Sequence, residues 1–367
     1  MDMARAVEQD QERRQGDVMP QPFSIIVPAF NELYYCRQCI DTVRACTRPP
    51  YQLILVDNGS TDGVGEFFDS VPGARVIHSE RNLGFAGGVN LGLRVAEGHV
   101  LLLNSDTLTP EGWLERLESA LLSADDIGMV GPMSNYVSGE QQISGLMFET
   151  QEQINAFARD LAIRNKGIIH DTTRLVGFCV LIRDTAFREV GLLDESFGIG
   201  GYEDDDYGVR VSRAGYRLCV AEDAFVFHYG SRTFVGMGIT PEGMEGLLAA
   251  NERRFVGKWS EAETAEARER SASLNAQARE AASAGDTRKA LILLKEAIEI
   301  SPFVEANYND FGALLWQLGQ REKAFEYFVR AVGMNPGYVE ARNNLRDAAE
   351  AMGRMKEAEA LLNGWRG

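Results

Sequence analysis

The sequence predicts an α/β domain with a mostly parallel sheet covered by helices on both faces, followed by an all-α helical-repeat domain. Two observations predict the first part. Short β-branched apolar runs alternate with helical stretches from Phe23 to about His228, and the runs end in polar turn residues. One observation predicts the second. Beyond residue 260 Ala, Glu, Arg and Leu dominate and a pattern recurs every 34 residues.

Phe23-Ser-Ile-Ile-Val-Pro28 and Tyr51-Gln-Leu-Ile-Leu-Val-Asp57 read as buried strands, with a helix over 33–46 between them. A helix over 64–70, a strand over 74–78, a helix opened by the glycine-rich stretch 82–92, and a strand over 100–104 continue the alternation. The pattern is less regular over 128–169. Strand character returns over 175–182, a helix is expected over 184–190, and the acidic run Tyr202-Glu-Asp-Asp-Asp-Tyr207 leads into an amphipathic helix. Two strands, 217–220 and 224–228, close the domain. Parallel sheets of this kind bind ligands outside the carboxyl ends of their strands, and Asp57 and Asp106 both fall just past such ends.

In the last third, Gly285, Gly319 and Gly353 are in register, as are Ala290, Ala324 and Ala358, Ala297 and Ala331, and Pro302 and Pro336. Alanines allow close helix approach, the glycine follows the first helix of each pair, and the proline sits at the hand-over to the next. This resembles the tetratricopeptide repeat over roughly 271–363. The expected organisation is a tail at 1–21, an α/β domain at 22–259, a linker helix at 260–270 and repeats at 271–367.

Composition excludes some functions. The 367-residue chain carries a formal net charge of −17, which repels nucleic acid. It has no apolar run of the roughly 18 residues a transmembrane segment needs and no signal-like stretch in residues 1–17, so the expected compartment is the cytoplasm. Five cysteines without a secretory signal read as reduced thiols; Cys36 and Cys39 form a C-x-x-C with no second pair at zinc spacing. An anionic substrate must then be met by a local cation.

Three constellations carry chemistry. Pro28-Ala-Phe-Asn-Glu32 and Asp57-Asn-Gly-Ser-Thr-Asp62 end neighbouring strands and together form a nucleotide pocket or, taken alone, ordinary turns. Arg81-Asn-Leu-Gly-Phe-Ala-Gly-Gly-Val-Asn-Leu-Gly92 permits close backbone approach to an anion at a helix start, with neither Rossmann nor P-loop spacing. In Leu103-Asn-Ser-Asp-Thr107, Asn104 and Asp106 point to one side of an extended backbone, and such oxygen ligands suit Mg2+ or Mn2+.

The order of these pieces, with Gly177-Phe178, the acidic run and His228-Tyr-Gly-Ser231, resembles family 2 glycosyltransferases of the GT-A fold, from Phe23 to about Phe234. The resemblance implies that Asp57 contacts the nucleotide base and that Pro28, Phe30 and Glu32 form the first nucleotide loop. It implies that Asn82 and Gly84 line base and ribose. Asn104, Ser105 and Asp106 match the D-x-D element, with Asn104 removing one of its charges. Asp106 and His228 would hold Mn2+ or Mg2+, with Arg81 and Arg232 as phosphate partners. Within the acidic run, Glu203 and Asp204 match the family's E-D pair, Asp204 as general base. The implied activity is inverting, metal-dependent transfer from a UDP-, dTDP- or GDP-linked sugar. The acceptor is a protein hydroxyl held by the repeats, with a cell-surface or lipid-linked glycan, or a non-catalytic nucleotide-sugar scaffold, as alternatives. The sequence leaves the oligomeric state open, and reads Trp113 as core.

Overall fold

The structure, a computed structural model, describes residues 23–230, 237–261 and 265–364. The expected tail at 1–21, Ser231 and Arg232 lie outside the described residues.

An eight-stranded sheet forms the catalytic half. Its strands are β1 (Phe23–Ala29), β2 (Tyr51–Asp57), β3 (Arg75–His78), β4 (His99–Leu103), β6 (Ile127–Met133), β7 (Ile169–Thr172), β8 (Cys179–Ile182) and β9 (Arg217–Phe225), in the order β3-β2-β1-β4-β8-β6-β9-β7. A separate two-stranded ribbon pairs β5 (Thr107–Leu108) with β10 (Phe227–His228). Strand β1 is buried at all seven positions because both faces of the sheet are covered, which is why it reads as one apolar run. Its side chains alternate between two cores. Ile25 and Val27 join Cys36, Cys39 and Ile40 of α1 (Leu33–Cys46) and Trp113 and Leu117 of α4 (Trp113–Leu121). Ile26 joins Val89 and Leu93 of α3 (Gly84–Leu93) and Tyr207 and Val211 of α7 (Glu203–Arg213) on the other face. Trp113 is fully buried and donates from Nε1 to Thr47 Oγ1 at 3.0 Å. All five thiols are free, and burial pushes that of Cys39 up to about 12.

The sheet is parallel except for two strands. Strand β8 runs antiparallel between β4 and β6, with Leu103 opposite Cys179, and β7 runs antiparallel to β9. The reversal of β8 has a consequence for the site. Its entry loop, 174–178, lies at the same edge of the sheet as the exits of β1, β2 and β4.

Several sequence expectations are corrected. The strand expected over 175–182 begins only at Cys179. The irregular stretch 128–169 holds β6, β7 and α5 (Gln151–Arg164). The two closing strands are one long β9, with a register shift against β6 beside Met133, followed by β10. Asn104 to Asp106 form a turn and not an extended segment, and the acidic run is itself the first turn of α7. Helices α2 (Val64–Asp69) and α6 (Asp184–Val190) fall where expected.

Helix α8 (Pro241–Glu261) leads into three helix pairs: α9 (Ala265–Ser283) with α10 (Thr287–Ile300), α11 (Glu305–Gln317) with α12 (Arg321–Met334), and α13 (Val339–Met352) with α14 (Met355–Gly364). The in-register glycines close the first helix of each pair with φ of +83°, +78° and +71°, the left-handed exit only glycine takes freely. Ala290, Ala324 and Ala358 are fully buried at the crossings. Residue 271, the expected start of the repeats, lies inside α9.

One polar clasp positions the wall of the cleft described below. Asn90, 1% exposed on α3, accepts from Leu193 N at 2.9 Å and donates to Leu193 O at 3.0 Å and to Glu195 Oε1 at 2.8 Å. It thereby fixes the loop that runs on to Gly198–Gly201. Substituting Asn90→Ala leaves both backbone groups of Leu193 unpaired in the interior. The expected loss is about 2–4 kcal/mol in chemical denaturation; an unchanged midpoint would show that the clasp carries no load.

Candidate active site

A cleft of about 720 Å³ opens at the carboxyl rim of the sheet. Its floor comes from four strand ends: Pro28 and Ala29 from β1, Asn58 after β2, Asn104, Ser105 and Asp106 after β4, and Gly177 and Phe178 before β8. Glu203 and Asp204 form one wall, His228 another.

The loops are tied to each other before any ligand enters. Asn31 and Glu32 are consecutive non-glycine residues at positive φ, +57° and +64°, a costly backbone that needs external support. Asn31 N donates to Ser60 Oγ at 2.9 Å, Asn31 Oδ1 accepts from Thr61 N at 2.8 Å, and Leu33 N donates to Asp62 Oδ2 at 2.9 Å. Asp57 accepts from Ser60 N through Oδ1 at 2.8 Å, and its Oδ2 meets His78 Nδ1 at 3.1 Å. Asn82 Oδ1 accepts from Gly84 N at 2.8 Å and from Asn58 Nδ2 at 3.1 Å. A side chain at Gly84, φ +78°, would run into the carbonyl of Gly198.

Glu32, Asp57 and Asn82 are not among the residues that line the cleft: Asp57 and Asn82 hold its loops through the hydrogen bonds above, and Glu32 shapes the first loop through its positive-φ backbone. Arg81 is exposed, with its backbone packed against Gly59. Pro28, Phe30, Gly84, Asn104, Ser105 and Asp106 do line it. The sequence reading gave His78 no role, yet it links Asp57 to Asp69, at 3.1 and 3.0 Å, and these carboxylates raise its pKa above the ordinary value.

The β5–β10 ribbon sets the second constellation. Its register puts His228 opposite Thr107, and Tyr229 N donates to Asp106 O at 3.0 Å. His228 Nε2 then stands 3.2 Å from Asp106 Oδ1, with both residues buried. Nδ1 faces the carbonyl of Tyr136 at 2.8 Å, so it must be the protonated nitrogen. The imidazole is further fixed by stacking on Phe178, centroids 5.1 Å apart, and by Asn135, which bonds both backbone groups of His228. With Nδ1–H committed, Nε2 presents a lone pair to a carboxylate oxygen. Two acceptors at 3.2 Å repel unless a proton or a cation lies between them. Asn104 Oδ1, buried nearby, makes no hydrogen bond among the described residues. Among the described residues no group of three His, Cys, Asp or Glu side chains clusters for a metal. Two protein ligands beside an open cleft nevertheless fit Mg2+ or Mn2+, which keep waters and take phosphate oxygens.

The acidic turn forms the third constellation. Asp204 accepts from Gly177 N at 2.8 Å and from Asp205 N at 2.9 Å. Burial, then the neighbouring Asp205, raises its pKa, while Arg174 pulls the other way. Glu203 is 6% exposed, its Oε2 has no hydrogen-bond partner, and burial with Asp204 alongside pushes it up to about 8. Asp205 and Asp206 point away from this pair. Asp205 takes Arg174 Nε at 2.7 Å; Asp206 takes Arg210, Lys258 and Trp259.

Sequence reasoning missed Tyr136 and Arg174. Arg174 stands three residues before Gly177-Phe178, the only local cue to it. Arg174, Tyr202 and Asp205 also line a second cavity of about 590 Å³, whose far wall is made by the repeats.

The model of glycosyl transferase family 2 matches residues 24–191, and that of a tetratricopeptide repeat matches 315–366. Glycosyltransferase GlyG of Streptococcus pneumoniae is 28% identical over 172 residues, 43% of this chain and 57% of that protein, so the chain spans little more than half of this relative's length. An uncharacterized protein of Mycobacterium tuberculosis is 31% identical over 219 residues, 57% of this chain and 74% of that protein. Glycosyltransferase AglE of Haloferax volcanii is 25% identical over 56% of this chain and 67% of its own. The mannosyltransferase PcManGT of Pyrobaculum calidifontis, solved with GDP-Man and Mn2+, aligns with 98% of this chain and 92% of its own, at a TM-score of 0.49 and 15% identity. Among the described residues no helix is long and apolar enough to cross a membrane. With its mostly parallel sheet and its ordered loop motifs, the chain belongs to glycosyl transferase family 2 and carries tetratricopeptide repeats toward its C-terminal end.

Proposed function

We propose that the protein transfers a sugar from a nucleoside diphosphate sugar to an acceptor hydroxyl by a single in-line displacement, with inversion at the anomeric carbon. The observation that carries this reading is the convergence of Asp106, His228 and the Glu203–Asp204 pair, from three distant chain segments, on one cleft. The nucleotide is assigned to the end lined by Pro28, Phe30, Asn58 and Gly84, with Glu32, Asp57 and Asn82 as the residues that shape its loops. Asn104, Ser105 and Asp106 lie next to the diphosphate.

Asp106 and His228 would hold a divalent cation, which when bound supplies positive charge for the departing diphosphate. The committed tautomer of His228 supports that assignment. Asp204 takes the proton of the acceptor hydroxyl as the new bond to the anomeric carbon forms and the bond to the diphosphate oxygen breaks. Gly177 N–H and the start of α7 keep the carboxylate aimed and favour its ionised form. Glu203, protonated to a higher pH than an ordinary glutamate, adds no second full charge beside it.

For the acceptor we propose a serine or threonine hydroxyl in a polypeptide. The repeats support this class, because such arrays present surfaces to peptide partners. The second cavity supports it too, since the repeats wall a groove that shares Arg174 and Tyr202 with the cleft.

Asp204→Asn is expected to lower kcat by about 10²–10⁴-fold while calorimetry shows nucleotide affinity nearly unchanged; loss of both would reassign the residue. The same carboxylate must be ionised to act, and its pKa is raised. Activity therefore falls away on acidification at a pH above the ordinary aspartate range. Arg174 favours the charged form, so Arg174→Gln should carry the acid limb of kcat/KM to still higher pH. A limb that stays put or moves down would contradict the assignment.

Nucleoside diphosphate binding is expected to tighten with Mn2+ in the natural protein and to lose that enhancement in Asp106→Ala and in His228→Ala; an undiminished Mn2+ effect in either would place the cation elsewhere. With a competent donor, serine- and threonine-containing peptides should gain the mass of one residue of that donor's sugar in intact-mass spectra. Transfer to oligosaccharide or lipid-linked glycan, with none to peptide, would refute the polypeptide acceptor.

A further inference from the structure

We infer that the repeat domain is part of the catalytic apparatus, with Arg330 and Gly333 of α12 acting as positioning residues for the turn that carries Asp204. The inference rests on the reading of Asp204 as base.

Successive residues of a helix point about 100° apart, so the first turn of α7 sends its carboxylates to different neighbours. Asp204 faces the cleft. Asp206 is gripped by α8, through Trp259 Nε1 at 3.0 Å and Lys258 Nζ at 2.6 Å. Asp205, 7% exposed, is directed at the repeats. Its Oδ1 is met by Arg174 Nε at 2.7 Å, and Arg330 Nη2 approaches the same oxygen at 4.0 Å. Arg330 is held from behind by the ring of Tyr308, 5.2 Å away.

The residue before the pair is held the same way. Tyr202 has φ +75°, a strained conformation for a tyrosine. Its ring packs on Phe255 of α8 at 5.6 Å, and Phe255 packs on Phe303 of the repeats at 5.5 Å. Tyr202 also shares a cavity wall with Glu252, whose carboxyl lies against α12 where Gly333 has no side chain; a Cβ there would collide with it. Asn251 completes the anchoring by donating to the carbonyls of Phe197, Gly200 and Gly201 in the cleft wall, at 2.8, 3.1 and 3.1 Å. Beside Arg174 and Arg210 of the α/β domain itself, the contacts that hold the Tyr202–Asp206 turn among the described residues thus come from α8 and from the repeats. An appended receptor for acceptors would not need Arg330 aimed at a buried carboxylate, or a glycine where Glu252 approaches.

The test uses the full chain and the hydrolysis of a nucleotide sugar with Mn2+, taking whichever of UDP-glucose, dTDP-rhamnose and GDP-mannose turns over fastest. Arg330→Ala should lower kcat per calorimetrically titrated nucleotide site by about tenfold, the scale of a small misplacement of a catalytic group, with KM within about twofold. Arg330→Lys should restore most of the loss. Gly333→Ala should reproduce it through Glu252, and Arg321→Ala, at a cation stacked on Trp316 of the same repeats, should change nothing. Normalisation to nucleotide sites keeps partial unfolding out of the comparison. Unchanged kcat in Arg330→Ala overturns the inference, as does a loss equalled by Arg321→Ala. Asp204→Asn measured alongside separates the two claims: if it keeps full kcat the base assignment falls, and if it is inactive while Arg330→Ala is normal only the positioning role falls.

Discussion

Four consecutive carboxylates open α7, and three of them are buried. Burial of even one carboxylate costs several kcal/mol unless charge and hydrogen bonds compensate it. The surrounding architecture is the compensation. The start of a helix offers partial positive charge and unpaired N–H groups. Arg174 arrives from the loop before β8, Arg210 from the next turn of α7, Lys258 and Trp259 from α8, and Arg330 from the repeats. Asp205 and Asp206 absorb nearly all of these partners. Glu203 and Asp204, left with fewer, have raised pKa values. A single acidic run is therefore anchored at one end and left with raised pKa values at the cleft end, and the difference is set by which face of one helical turn each residue occupies.

The reversal of β8 is the second constraint. In a purely parallel sheet the loop before a strand lies at the opposite edge from the catalytic rim. Because β8 is antiparallel, Gly177 and Phe178 enter beside the exits of β1 and β4, where Asn104 N donates to Phe178 O at 2.8 Å. The N–H of Gly177 is then available to Asp204, and the ring of Phe178 is available to His228. A side chain at 177 would press on Asp204, its Cβ falling 3.1 Å from the Cβ of that residue.

These two constraints mark what sequence reading reaches. Strands β1 and β2 were legible because full burial writes an uninterrupted apolar run, and the repeats were legible because their period is fixed by helix-pair geometry. Cleft residues at the ends of such runs, Pro28 and Phe30 at β1 and Asp106 after β4, were legible for the same reason. Strand direction leaves no local trace, so nothing in residues 179–182 told that β8 is reversed or that its entry loop joins the rim. Helix α5 was missed because only Ile154, Ala158 and Leu161 are buried along it. Its start was nonetheless written in Thr150 and Gln153, with Thr150 capping the helix by accepting from Gln153 N and Gln153 Oε1 reaching back to Glu149 N. Asp57 was assigned to the nucleotide base through the family resemblance; its partner His78, a residue on β3 that only the register beside β2 brings to it, left no signal in the sequence.

The repeats show why the two halves of the chain cannot be reasoned about separately. A three-pair array leaves apolar surface at its ends and along its second helices, and such short arrays gain stability only from neighbours. Here α8 lies along α12 and α14 and supplies that neighbour, while its opposite side grips the catalytic wall through Asn251, Lys258 and Trp259. The interface is polar where it meets α7 and aromatic where Phe255 joins Tyr202 to Phe303. Charges placed there solely to glue two domains would be a poor choice, since a buried ion pair rarely outdoes an apolar contact of the same volume. Their value is directional. An ion pair fixes where a carboxylate points, and the carboxylate it fixes is the next residue along from Asp204.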